Sequence, residues 1–229
     1  VLLNNGKIGI FDTRRFVFKE VKIRLKNQRH LTAIRSLLED SGGNLFYVIP
    51  HEEILTFSKK NNEFAAVHNP FDSPPNWRVG NVIEDSVAKK YWIATDSGMA
   101  VFNKITRQLS YRGHNTEKEP FIEQFGNITG ISNYGVDAQR RLWFLSWPYT
   151  RGWGLIYCYD LNKEKAVFKD YNLVPLIKGY FEPSCILQQK DGTIWLAGLN
   201  IFIKYNALQN NFQQVYNGYV NDQGISYER

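Results

Sequence analysis

Apolar and polar residues alternate along this chain in short runs, and these runs recur four times in the same order. Each recurrence starts at a polar turn, continues through an aromatic strand and a polar break, and ends in a second aromatic strand. The turns start at Asp40, Asp85, Asp137 and Asp191, which are 45, 52 and 54 residues apart. A period of about 40–50 residues built from short strands is typical of a β-propeller, in which each repeat forms one blade.

The first repeat shows its four strands most clearly. We assign strands A to D to residues 34–39, 45–49, 54–58 and 63–67. The pattern places whole repeats at about 31–68, 78–112, 129–171 and 183–216, a half repeat at 1–19 and the start of another at 224–229. The half repeat is assigned because Phe11 and Phe18 align with Phe57 and Phe64. The predicted fold is therefore all-β, with blades of four antiparallel strands.

About five blades' worth of chain fits two architectures. In one, the strand at 224–229 pairs with the half repeat at 1–19 and closes a five-bladed ring. In the other, the chain is a slice of a larger propeller, which can fold in part because each blade mainly contacts its neighbours. We expect the slice.

Aromatic residues recur at two fixed positions of the repeat. Because they lie inside strands and not in loops, we expect them to pack between neighbouring blades and not to bind a ligand. The strand-B set is Phe46, Trp92, Trp143 and Trp195, and the strand-C set is Phe57, Phe102, Tyr159 and Tyr205.

Charge and composition exclude several classes of function. The net charge is +6, but the basic residues lie in pairs at turns, such as Lys59-Lys60, and form no basic stripe that predicts nucleic-acid binding. No apolar run reaches 18 residues, so we expect no direct membrane insertion. The chain has no initiator Met and no leader pattern, so we expect it to be a piece of a longer protein.

The two cysteines, Cys158 and Cys185, lie in apolar strand contexts. We expect them to be small buried hydrophobes and not a disulfide. Their spacing supports no zinc site, and we identify no cofactor motif.

The loops divide into two classes. The A–B and C–D turns share one face of the predicted blades and are short and charged, whereas the B–C and D–A loops share the other face and are long and rich in aromatic residues. Variable loops on a rigid scaffold commonly carry binding sites. The B–C loop of the third repeat, residues 146–154, is the longest of its kind and supplies the candidates Trp147, Tyr149, Arg151 and Trp153. The D–A loops add Trp77, His114 and Tyr180.

Planar rings beside a guanidinium suit a sugar, a glycan or a peptide. The other interpretation of these loop aromatics is that they pack over their own blade. Catalysis has little support, because the chain carries no nucleophile elbow, no His-Glu-x-x-His and no Walker loop. The loops do contain carboxylates, such as Glu52, Asp96 and Glu182, so an acid–base pair stays open.

The repeat resembles the two-component regulator propeller repeat, in which Asp-x-x-Gly precedes a Trp-containing strand, a second glycine and an aromatic-Asn/Asp turn. The first repeat departs from the pattern with Phe46 in place of Trp, and the second and third lack the turn glycine. The copies with the best match are Asp191-Gly192-Thr193-Ile194-Trp195-Leu196-Ala197-Gly198 and Trp92-Ile93-Ala94-Thr95-Asp96-Ser97-Gly98-Met99.

This resemblance implies the periplasmic sensor region of a Bacteroidetes-type hybrid two-component protein. Members of the family carry one or two propellers, usually seven-bladed, followed by an immunoglobulin-like domain, a membrane helix, a histidine kinase and often a DNA-binding response regulator. The implied function is ligand sensing, with an oligosaccharide as the implied ligand and with other blades or a second protomer as partners. The alternatives are a propeller enzyme acting on polysaccharide, either a lyase or a glycosidase, and a protein–protein scaffold. We expect no enzyme in this part of the protein.

Overall fold

The computed structural model describes residues 1, 3, 7–25, 36–50, 52–66, 74, 76–147, 154–177 and 180–215. The protein is 55% strand and 4% helix, and its sheets are antiparallel apart from one added strand, so the predicted all-β class is confirmed. The chain forms two compact units, Val1–Glu117 and Lys118–Arg229, which we call unit 1 and unit 2.

Unit 1 contains a hairpin and two larger sheets. The hairpin pairs β1 (Gly9–Asp12) with β2 (Val17–Glu20) and sets Phe11 opposite Phe18. Sheet I has the order β3-β7-β6-β5-β4, and its first strand runs parallel to β7. Its strands are β3 (Lys22–Arg24), β4 (Ser36–Glu39), β5 (Leu45–Ile49), β6 (Glu53–Ser58) and β7 (Glu63–Ala65). Sheet II is a meander of β8 (Val79–Asp85), β9 (Lys90–Thr95), β10 (Gly98–Asn103) and β11 (Leu109–Ser110).

Unit 2 contains a short helix and two four-stranded sheets, each a meander in chain order. The helix is α1 (Pro120–Phe125). Sheet III consists of β12 (Ile131–Val136), β13 (Arg141–Ser146), β14 (Leu155–Asp160) and β15 (Lys165–Asn172). Sheet IV consists of β16 (Glu182–Gln188), β17 (Ile194–Leu199), β18 (Ile201–Asn206) and β19 (Asn211–Gln214).

Strand registers place the strand-B aromatics at one position in each sheet. Phe46 lies opposite Leu38, Trp92 opposite Ile83, Trp143 opposite Gly135 and Trp195 opposite Leu187. Phe46, Trp92 and Trp143 are each 1% exposed. Two of these rings pack between the sheets of one unit: Phe46 meets Tyr91 of sheet II at 5.4 Å, and Trp143 meets Tyr205 of sheet IV at 4.9 Å.

The outer face of sheet IV differs from the other sheet faces. Here Trp195 is partly exposed and stacks on Phe202 of the same sheet, with ring centroids 4.7 Å apart. Leu187, opposite Trp195, is 58% exposed, and Cys185 is exposed as well. The prediction of two buried cysteines is therefore right for Cys158 and wrong for Cys185, and both thiols are free. The reason is that sheet IV buries only the side that faces sheet III.

The helix α1 was not expected from the sequence. Proline at its start supplies a fixed φ where no amide donor is needed. Phe121, Ile122 and Phe125 are buried, and both phenylalanines pack edge-on against Phe144 of sheet III. The helix thus covers the apolar face of sheet III that does not meet sheet IV.

The turns after strand C share one backbone conformation. In each of them the last turn residue has a positive φ between 50° and 59°, and these residues are Phe16, Asn62, Arg107, Glu164 and Asn210. In four of them a side-chain oxygen at the turn start accepts two backbone amides, as in an Asx turn. These acceptors are Asp12, Asn103, Asp160 and Asn206.

Three of the four turns between strands A and B close with one backbone hydrogen bond, from the first amide to the carbonyl four residues later, and the turn from Asp85 to Lys90 is one residue longer. Each has a positive-φ residue, and these residues are Gly43, Lys89, Arg140 and Gly192. In the third repeat Arg140 keeps a positive φ at the position of the family glycine, whereas in the second repeat the positive φ falls on Lys89, one residue later in the longer turn. The registers also correct one assignment, because Gln189 bonds to Thr193 as Asp40 bonds to Asn44, so the fourth turn starts at Gln189 and not at Asp191.

Lys89→Gly is expected to raise the free energy of unfolding by about 0.5–1 kcal/mol, because glycine removes the Cβ strain at this φ of 56°. The side chain of Lys89 is exposed, so its loss removes little packing. Urea denaturation measures the change. Lys90→Gly, one residue later in the extended strand β9, serves as the control and is expected to lower stability. A Lys89→Gly variant no more stable than the parent would contradict the strain argument.

Candidate functional site

Seven residues were predicted to form a ligand site. Tyr149, Arg151 and Trp153 lie outside the described residues. Trp77 and His114 lie in unit 1, whereas Trp147 and Tyr180 lie in unit 2.

In unit 1, the structure brings Trp77 and His114 to the same edge of sheet II. Trp77 lies two residues before β8, and Tyr111 directly follows β11, so both lie at the edge of sheet II that carries the β9–β10 turn. The Trp77 and Tyr111 rings meet edge to face at 5.4 Å, and the Tyr111 ring stacks on His114 at 5.2 Å. Tyr111, which sequence analysis had not selected, thus joins the two selected residues.

A tight turn holds His114 against Tyr111. Their backbones exchange two hydrogen bonds, of 2.9 Å and 2.8 Å, and Gly113 between them has a φ of +85° that favours glycine. The Arg112 guanidinium lies over the Trp77 ring at 5.7 Å from its centroid. We call Trp77, Tyr111, Arg112 and His114 the Trp77 cluster. Arg112 and His114 are exposed, and the rings of Trp77 and Tyr111 are partly buried.

A carboxylate lies at the same edge of sheet II. The Asp96 carboxylate accepts hydrogen bonds from the amide of Arg78 at 3.0 Å and from the hydroxyl of Ser97 at 3.0 Å. These bonds fix it in the β9–β10 turn, next to the start of β8. The edge therefore offers ring faces, a guanidinium, an imidazole and an anchored carboxylate.

In unit 2, Trp147 has a packing role. Its backbone amide donates to Gly130 at 2.9 Å, and its ring lies against Gly154, where a Cβ would come within 3.1 Å of the indole. Tyr180 is 61% exposed, and its hydroxyl donates to the Glu182 carboxylate. Of the two, only Tyr180 presents most of its ring to solvent.

A buried network of charges lies at the opposite edge of sheet II from the Trp77 cluster. The side chain of Asp40 is 0% exposed and accepts hydrogen bonds from the hydroxyl of Tyr91 and from Lys104, the latter at 3.2 Å. Lys104 also pairs with Glu84, whose carboxylate accepts from the Ser41 hydroxyl at 2.7 Å. The network joins the turn of sheet I to strands and turns of sheet II.

Burial and hydrogen bonding shift the pKa values in this network in opposite directions. Burial alone would raise the pKa of Asp40, but hydrogen bonds from Tyr91, Asn44 and Lys104 outweigh it and hold that pKa well below its usual range. Burial and the bond to Asp40 raise the pKa of Tyr91 above its usual range. Burial opposes the charge on Lys104, yet its bonds to Glu84 and Asp40 raise its pKa. At neutral pH the network is therefore fully ionised, with Tyr91 neutral.

Within the part of the chain that the structure describes, no group of three or more His, Cys, Asp or Glu residues has an arrangement that could hold a metal ion. Among the same residues, no helix has the length and apolar character to cross a membrane.

Comparison with known proteins gives a match in fold but none in sequence. No protein-family model matches the chain, and no curated protein matches it. Its fold is similar to that of the extracellular domain of BT4673, described as a hybrid two-component system of B. thetaiotaomicron, with a TM-score of 0.60 and 14% identity over 85% of this chain and 23% of that one. It is also similar to the extracellular domain of BT3049, described in the same way and from the same organism, with a TM-score of 0.59 and 19% identity over 96% of this chain and 27% of that one.

An auxiliary nutrient binding protein of Bacteroides thetaiotaomicron also matches, with a TM-score of 0.50 and 12% identity over 79% of this chain and 40% of that one. The chain spans about a quarter of the length of the two extracellular domains. At these identities the similarity is one of fold, and it agrees with the resemblance seen in the repeats.

Proposed function

We propose that this chain is part of the extracytoplasmic, periplasmic sensor of a hybrid two-component signalling protein, and that it binds a carbohydrate at the Trp77 cluster. The observation that carries the proposal is that Trp77 and His114, which are far apart in the sequence, both contact Tyr111. The similarity in fold to extracellular domains of two-component systems supports the sensing role.

The chemistry of the Trp77 cluster suits a sugar. The apolar faces of Trp77 and Tyr111 can stack on the C–H face of a pyranose ring, while Arg112 and His114 supply donors for its hydroxyl groups. Asp96, at the same edge, supplies an acceptor. A histidine kinase would lie elsewhere in the parent protein, and this part would bind its ligand without transforming it.

We further propose that the sheets belong to a propeller larger than this chain. The support is the outer face of sheet IV, where Trp195, Leu187 and Phe202 form an apolar surface that is partly exposed. The same position is 1% exposed in the three preceding sheets. A further sheet of the same kind would cover Trp195 as sheet IV covers Trp143.

Calorimetry against an oligosaccharide panel tests the sensing proposal. We expect at least one oligosaccharide to bind without product formation, and Trp77→Ala to weaken it by roughly thirtyfold, as for other central aromatic contacts of about 2 kcal/mol. Thermal unfolding of the variant shows whether the fold survives. Tyr180→Ala, an exposed ring in unit 2, is the matched control and should leave the affinity unchanged.

The outcomes are distinct. Loss of binding in Tyr180→Ala but not in Trp77→Ala would move the site to unit 2. Oligosaccharide cleavage would replace sensing with an enzyme, and no binding across the panel would favour a scaffold.

A further inference from the structure

A pocket of about 240 Å³ lies between sheets I and II of unit 1, at the edge opposite the Trp77 cluster. Its apolar walls are Phe46, Tyr91 and Phe102, and its polar walls include Asn44, Lys104 and Arg107. It therefore combines aromatic rings with two cationic side chains.

Unit 2 contains the same arrangement of positions between sheets III and IV. Arg141 follows its turn aspartate as Asn44 follows Asp40, since in each case the aspartate amide donates to the carbonyl four residues later, at 3.0 Å. In the same way Trp143 corresponds to Phe46. Tyr205 corresponds to Phe102, because each directly precedes the Asx turn after strand C.

In unit 2 a guanidinium fills this space. Arg141 lies 5.1 Å from the Trp143 ring centroid and 5.5 Å from that of Tyr205, and it pairs with Asp137 at 2.7 Å. A flat cation thus lies against two aromatic rings, beside the turn carboxylate.

In unit 1 two side chains of sheet I that border this space are smaller, whereas Tyr91 of sheet II is larger than its counterpart Ile194. Asn44 stands in place of Arg141, and Phe46 has one ring where Trp143 has two. The cation that balances Asp40 is instead Lys104, which lies in a turn of sheet II and reaches across to the turn of sheet I. The Tyr91 ring, 5.4 Å from Phe46 and 6.2 Å from Phe102, takes part of the room that the guanidinium occupies in unit 2, and the pocket is the space left beside it.

Arg107 adds a cationic group that the network does not use. Its counterpart Asn210 accepts a hydrogen bond from the Tyr205 hydroxyl at 2.6 Å, but Phe102 has no hydroxyl to offer. Within the described residues the Arg107 guanidinium makes no hydrogen bond or ion pair, whereas Lys104 is balanced by Asp40 and Glu84. The planar fork of an arginine suits a carboxylate.

We propose that this pocket binds a carboxylate carried on a six-membered ring, either a uronic acid or an aromatic acid. The ring lies in the pocket beside Tyr91, against Phe46 and Phe102, and its carboxylate accepts hydrogen bonds from Arg107. This site is separate from the Trp77 cluster and does not depend on what binds there.

Thermal-shift measurements and calorimetry with D-glucuronate and benzoate test the proposal, with D-glucose and benzamide as neutral counterparts. We expect at least one carboxylate to raise Tm by about 3 °C at roughly ten times its Kd, and its neutral counterpart to have no effect. The two acids distinguish a sugar acid from an aromatic acid.

Three variants locate the binding. Arg107→Gln should lower the affinity for the carboxylate ligand by about tenfold or more, because the variant loses a charge-assisted hydrogen bond. Phe46→Trp should abolish binding by filling the pocket with the indole found at this position in unit 2. Arg14→Gln, an exposed arginine in the β1–β2 turn and outside both proposed sites, should bind the carboxylate as the parent does. Equal responses to acids and neutral compounds, no response to any of them, or undiminished binding in Arg107→Gln would overturn the proposal.

Discussion

Trp143→Ala is expected to lower the free energy of unfolding by about 3–5 kcal/mol, the range for a large aromatic lost from a packed core. The Trp143 ring is 1% exposed and contacts Tyr205 and Phe212 of sheet IV. Its indole nitrogen also donates to Asp137 at 2.8 Å, so the variant loses a buried hydrogen bond as well as the contact between two sheets. Urea denaturation followed by far-ultraviolet circular dichroism measures the loss.

Trp195→Ala is the matched control. Trp195 has the same register position in sheet IV, but it is partly exposed and stacks on Phe202 of its own sheet. In this chain we expect Trp195→Ala to lose less than half as much free energy of unfolding as Trp143→Ala. In a longer chain whose next repeat covers sheet IV, we expect the two variants to lose about the same amount. Equal losses in the present chain would show that the outer face of sheet IV is already buried.

Much of the fold could be predicted because strand period and turn chemistry are local. The first repeat illustrates this: strands were expected at 34–39, 45–49, 54–58 and 63–67, and β4 to β7 lie within one or two residues of those bounds. Alternating side chains and a polar turn specify such a strand without reference to its neighbours.

Burial of the aromatic residues could not be predicted in the same way. Trp143 and Trp195 occur in the same local pattern, yet their exposure differs because only one of them faces another sheet. The same reason explains Cys185, which is exposed although its strand is apolar. The helix α1 had a signal that was overlooked, since Pro120 precedes buried residues at helical spacing, Phe121, Ile122 and Phe125.

The grouping of the candidate residues could be predicted in part. Sorting loops by length and aromatic content selected Trp77 and His114, which the structure brings together. It missed Tyr111 because that residue was placed inside the second repeat, 78–112, although Gly113 shortly after it marks a turn. The pocket beside Arg107 could not be inferred, since it depends on which side chains from two sheets fill one space.

Asp40→Asn is expected to lower the free energy of unfolding by about 3 kcal/mol, at the low end of the range for breaking a buried ion pair. The Asp40 side chain is 0% exposed and is bonded to Tyr91, Asn44 and Lys104. A neutral amide cannot balance Lys104, although Glu84 still pairs with that lysine and limits the loss. Asp12→Asn is the control, because Asp12 is exposed and asparagine can accept the same turn amides.

The pH dependence of that difference follows from the pKa shifts. For Asp40 and Glu84 burial acts to raise the pKa, but hydrogen bonds outweigh it and lower both values, so their contribution is present above the ordinary carboxyl pKa of about 4 and is lost as the pH falls below it. The pKa of Lys104 is raised, so its contribution is present at neutral pH and is lost as the pH rises through the alkaline range. Urea denaturation of the parent and of Asp40→Asn should therefore differ most near neutral pH and converge as the solution becomes acidic. A difference that stays constant from neutral to strongly acidic pH would show that the Asp40 carboxylate stabilises the fold by packing and not by its charge.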